Sequence, residues 1–67
     1  MYENLEAEIA RAGITKREIA KFLGIHENTL AYKMDRGYFT VEEAFKIKHE
    51  FFPSRELEYL FYRKKSA

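Results

Sequence analysis

The sequence predicts an all-α single domain built from five short helices, and three observations carry that expectation. Two T-x-x-E boxes, Thr15 with Glu18 and Thr40 with Glu43, mark helix starts where each side chain satisfies a free backbone N–H. Apolar residues recur four apart, Ile19 with Leu23 and Leu30 with Met34, which places each pair on one helical face. Gly13, Gly24 and Pro53 punctuate the chain where these runs end. No alternating strand pattern, internal repeat or linker interrupts the series.

The elements follow in order. A first helix over residues 2–12 sets Leu5, Ile9 and Ala12 on one face; Gly13 ends it and Ile14 packs as the chain turns. The second helix covers residues 15–23. Gly24 permits a sharp turn because glycine takes a positive φ at no steric cost, and Ile25 anchors that turn. The third helix covers residues 26–35, with Gly37 as a left-handed cap beyond it. After a loop at 36–39 the second T-x-x-E box opens a fourth helix, with Val41, Ala44, Ile47 or Lys48, and Phe51 inward. Pro53 disfavours helical geometry at Phe52 and stops it. Ser54 suits the N-cap of a fifth helix carrying Leu57, Leu60 and Phe61 inward, with Arg63, Lys64 and Lys65 at its negative end.

Composition bounds the function. A chain of 67 residues holds one domain near the lower size for a self-sufficient core, and an aromatic content of 16% compensates with large rings. Without cysteine there is neither a disulfide framework nor a thiolate zinc site, and a reducing compartment is the default. No apolar run approaches the roughly 20 residues that span a bilayer. The first ten residues are acidic, unlike a signal peptide, so a soluble, cytoplasmic protein is expected.

Net charge is only +1, but its distribution is uneven. Residues 1–10 carry Glu3, Glu6 and Glu8 and no cation. Residues 11–36 carry Arg11, Lys16, Arg17, Lys21, Lys33 and Arg36 against Glu18, Glu27 and Asp35. Residues 37–58 are net acidic, and Arg63, Lys64 and Lys65 make the tail basic. The helix–turn–helix segment is thus where a phosphate-facing surface has its cations. A solvated surface with chance clustering is the plainer alternative.

The pattern TKREIAKFLGIHENTL places apolar Ile19, small Ala20, apolar Leu23, Gly24, apolar Ile25 and apolar Leu30 in sequence. With it, residues 5–62 resemble the phage Cro/repressor-type DNA-binding fold, the XRE-like or lambda-repressor-like helix-turn-helix family. Residues 39–44, 51–53 and 57–61 also resemble small regulators of bacterial and prophage origin. Two positions depart from the pattern. Lys33 stands where the third helix has its last inward apolar residue, with Met34 one place later, so its stem is expected to lie on the core. His26 stands where a serine or threonine cap is common, and its imidazole caps weakly.

The resemblance implies a five-helix lambda-repressor-like domain that reads double-stranded operator DNA with the start of the third helix. It implies base contacts from His26, Glu27, Asn28, Tyr32 and, more peripherally, Thr29, and phosphate contacts from Lys16, Arg17, Lys33 and Arg36, with Lys21 a further candidate. Asn28 has the amide for a bidentate contact to adenine. Glu27 can accept from cytosine N4, or serve only as an acid favoured by the helix dipole. Tyr32 can meet a thymine methyl or a phosphate, or pack as a partly buried ring beside Phe39.

Phe22, Phe52, Tyr59 and Tyr62 form an aromatic surplus. It either wraps a small core or builds a homodimer surface from the last helix, which would suit a palindromic operator. The leading expectation is a sequence-specific transcriptional regulator of phage or prophage type, Cro-like in its size. The alternative is a protein-interaction or antirepressor module that keeps the fold without specific DNA binding. An enzyme is not expected: His26 and His49 are the only histidines, they lack metal-ligand spacing, and no phosphate loop or nucleophile motif occurs. No cofactor, metal or small-molecule substrate is implied.

Overall fold

A computed structural model of the protein describes residues 2–36 and 39–63. Among the described residues five helices follow one another: α1 (Glu3–Ala12), α2 (Lys16–Leu23), α3 (Glu27–Arg36), α4 (Val41–Phe51) and α5 (Leu57–Leu60). The domain is all-α, as expected. The Gly37 cap and the cations Lys64 and Lys65 lie outside the described residues.

The first two junctions use one local device twice. At the end of α1, Gly13 sits at φ 71°, and its N–H and that of Ile14 bond the Ala10 and Ile9 carbonyls. After α2, Gly24 sits at φ 73°, and its N–H and that of Ile25 bond the Lys21 and Ala20 carbonyls. Both are Schellman closures, in which a left-handed residue turns orphan carbonyls inward and drops the next apolar side chain onto the core. Thr15 and Thr40 then open α2 and α4 through complete reciprocal capping boxes.

The core is one cluster. Leu5 and Ile9 of α1, Ile19 and Ala20 of α2, Leu30 and Met34 of α3, Ile47 of α4 and Leu60 of α5 close on each other. In packing, α2 rests chiefly on α3, α1 on α5, and α4 on both α5 and α2. Three rings, Tyr2, Phe39 and Phe61, meet at centroid separations of 5.3 to 5.6 Å. They pin the start of α4 against both ends of the described chain.

Several side chains differ from expectation. Val41 is 71% exposed rather than inward. It lies about 60° round the helix from Ala44 and about 120° from Ile47, so it falls beyond the buried arc. Ala12 is exposed because α1 ends there. Phe52, one of the surplus aromatics, is buried: the chain leaves helical geometry at that residue and swings its ring inward. Ser54 does not cap α5. The Arg55 N–H bonds the Phe52 carbonyl, so Ser54 belongs to a turn, and the single-turn α5 starts after Glu56. Arg63 therefore lies past α5, and its guanidinium donates to the Arg36 carbonyl at 3.4 Å. The negative end it meets is that of α3.

Candidate nucleic-acid interface

The turn between α2 and α3 leaves the start of α3 in the open. Glu27, Asn28, Thr29 and Tyr32 are all exposed, while Leu30 and Met34 hold the opposite side of the helix in the core. At 100° per residue, Tyr32 stands farthest from that buried side, with Asn28 and Arg36 flanking it. Asp35 shares their face, so the outward surface of α3 is not purely basic.

His26 does cap α3. Its Nδ1 accepts the Asn28 N–H at 3.1 Å, which fixes the ring and requires its proton on Nε2. A ring holding that backbone bond still presents Nε2–H outward as a donor. The Asn28 side-chain amide makes no hydrogen bond among the described residues and is available to a ligand.

The expected phosphate contacts separate into two groups. Arg17 is exposed and makes no ion pair among the described residues, and the same holds for Lys21. Both line a shallow hollow of about 370 Å³ with Ala20, Ile25, His26 and Glu27, at the joint between α2 and α3. Lys16 instead pairs with Glu6 at 2.8 Å, with both side chains well exposed. Such a surface pair contributes little to stability. Lys33 is held more firmly. Its stem is largely covered and its ammonium lies 3.2 Å from Glu43 Oε1, the oxygen that also accepts the Thr40 N–H. Burial pushes the Glu43 carboxyl up, but the Thr40 N–H and the Lys33 ammonium outweigh it and hold the group below the ordinary carboxylate range. Lys33 thus belongs to the α3–α4 joint. Arg36 places its guanidinium 6.0 Å from the Tyr32 ring centroid and 3.8 Å from Asp35. Tyr32 keeps more than half its surface open, and Phe39 is engaged with Tyr2 and Phe61.

One buried polar cluster escaped the sequence reading. Glu8, counted there among the acids of the first ten residues, is only 3% exposed. Its oxygens accept from Arg11 at 2.9 Å, Arg55 at 3.3 Å and the Tyr59 hydroxyl at 2.9 Å. Only the Arg11 partner, three residues on, carries a signal in the sequence; the others arrive through the fold. Among the described residues no three His, Cys, Asp or Glu side chains gather as metal ligands.

No helix among the described residues is long and apolar enough to cross a membrane. No family model matches the chain, and no curated protein or solved structure matches it.

Proposed function

We propose that this protein is a sequence-specific DNA-binding transcriptional regulator of the phage or prophage Cro type, acting in the cytoplasm on operator DNA. The observation that carries the reading is the outward start of α3, where Asn28 offers an amide that makes no hydrogen bond among the described residues, beside the hollow bearing Arg17 and Lys21. An α-helix end of this kind fits the major groove, and cations beside it meet the backbone phosphates. Asn28 supplies the readout by pairing with adenine N6 and N7. Arg17 and Lys21 supply positioning, with Lys16 joining once a phosphate replaces Glu6. In this reading His26 contributes through Nε2, and Glu27, Thr29 and Tyr32 line the flanks.

Binding to a library of random duplexes across a salt series tests the proposal. The expected result is selection of one short sequence, with affinity falling as salt rises. A protein indifferent to every duplex at low ionic strength overturns it. A second reading, a protein-interaction or antirepressor module, draws support from the ion pairs that engage Lys16 and Lys33 and from the acids Glu27 and Asp35. Absence of DNA affinity in the same assay favours that reading.

A further inference from the structure

We propose that the groove between α4 and α5 binds a small organic ammonium ion, an amine carried on an aryl or alkyl body. This goes beyond the DNA-binding reading and does not depend on it. The groove measures about 280 Å³, close to the smallest hollows that take up small molecules. The rings of Tyr2, Phe39 and Phe61 and the aliphatic Ala44 and Leu57 wall it, with Glu58 as its one ionisable residue besides Tyr2. The three rings stand tilted or edge-on to one another, at 55° to 77°, and this mutual packing holds the hollow ready-made.

Two polar groups border this apolar space without partners. Glu58 is exposed and forms no ion pair among the described residues. Tyr2 is only 5% exposed, yet its hydroxyl makes no hydrogen bond among the described residues. Since no fully buried side-chain polar atom there is left unpaired, that hydroxyl reaches open space, and the groove is a hollow that Tyr2 lines. The Thr40 hydroxyl already accepts the Glu43 N–H.

These groups select the ligand. A hydrocarbon leaves Glu58 and the Tyr2 hydroxyl unused, and a carboxylate or phosphate meets Glu58 as like charge. A hard metal ion needs several oxygen ligands and finds one carboxylate. An ammonium on an apolar body uses every feature: the body fills the hollow, the charge faces Glu58 and the aromatic rings, and the Tyr2 oxygen accepts an N–H. The carboxylate is exposed and the hollow small, so affinity is modest.

Titration of the isotope-labelled full chain with phenethylammonium chloride, followed by amide NMR, tests this. Phenethyl alcohol and phenylacetate serve as the neutral and anionic counterparts. Saturable shifts at Ala44, Leu57 and Glu58 are expected, with a dissociation constant of about 1–10 mM. The alcohol should bind about fivefold more weakly, and phenylacetate more weakly still. Glu58→Gln, a surface change that leaves the fold intact, should lower ammonium affinity to that of the alcohol. Shifts that do not saturate by about 50 mM overturn the proposal. So does an equal response to phenylacetate, or parental affinity in Glu58→Gln. Movement of the same amides on diluting the ligand-free chain would put a second copy in the groove, and overturns it too.

Discussion

Tyr59 donates its phenolic hydrogen to Oε2 of Glu8 at 2.9 Å, joining α5 to α1 across 51 residues of sequence. Glu8 is the one charged residue among the described residues that is buried, and it is buried with every oxygen occupied. A carboxylate withdrawn from water is tolerable only on such terms. Because Arg55 also reaches it, the carboxylate fixes both the turn before α5 and the helix itself.

Replacing Glu8 with Ala is expected to destabilise the fold by about 2 kcal/mol, the range for losing hydrogen bonds to a charged group. The three donors are partly exposed and regain water, which keeps the loss from reaching that of a fully buried pair. In a domain this small the midpoint of thermal unfolding should fall by roughly 10 °C. A loss below about 0.5 kcal/mol would show that the cluster is incidental.

The same contact sets an alkaline limit. The hydrogen bond to Glu8, reinforced by burial and by the carboxylate's charge, holds the Tyr59 hydroxyl above its ordinary value, though Arg11 and Arg55 oppose the shift. A group raised on folding contributes stability that is fully present below its unfolded value and disappears as pH rises through the folded one. Denaturant midpoints measured from neutral pH into the tyrosine range should therefore decline. In Tyr59→Phe this part of the decline should be absent.

At the acid end the sign reverses. Glu43 is depressed on folding, so its contribution is present above the ordinary carboxylate value and lost as pH falls through the lower folded one. Acid titration of Glu43→Gln should show a shallower loss than the parent. Thr40→Ala, which removes the reciprocal cap, should cost about 1 kcal/mol at neutral pH.

Gly24→Ala isolates backbone handedness. A methyl group there meets nothing within 4 Å, yet φ is 73°. The expected cost is about 1 kcal/mol from conformation alone, with Gly13→Ala at φ 71° close to it. Urea unfolding of the two variants should give near-equal losses.

On the DNA reading, Asn28→Ala should alter sequence preference by about 1–3 kcal/mol at one base pair and leave non-specific affinity nearly intact. Arg17→Ala should weaken binding to all sequences and flatten the salt dependence. Lys16→Ala should do so less, because Glu6 competes for that ammonium. Lys33→Ala should lower stability, since it breaks the joint with Glu43. Equal losses on selected and random duplexes for Asn28→Ala would remove that residue from the readout.

Much of the architecture was legible because its signals are local. The two capping boxes and the glycines at 13 and 24 each act within six residues, and each sits where the sequence places it. Pro53 likewise ended α4 on its own. Side-chain placement was less legible at helix edges, where Val41 and Phe52 turn on where the buried arc stops rather than on polarity. Ser54 misled because a turn closed by Arg55 and Phe52 outcompetes its capping preference. For the candidate site, the exposure of Asn28 and Tyr32 follows from helical spacing. The capture of Lys16 by Glu6 and of Lys33 by Glu43 does not, since both partners come from other helices. Glu8 lay deeper still, its burial set by partners 47 and 51 residues away.

The edge contact between Tyr2 and Phe61, 5.6 Å between ring centroids, brings the two extremities of the described chain side by side. The order in which the helices are strung is therefore negotiable. A circularly permuted version, closed by a few flexible residues and opened at the exposed Pro53–Ser54 turn, should reach the same packing with its reading helix undisturbed.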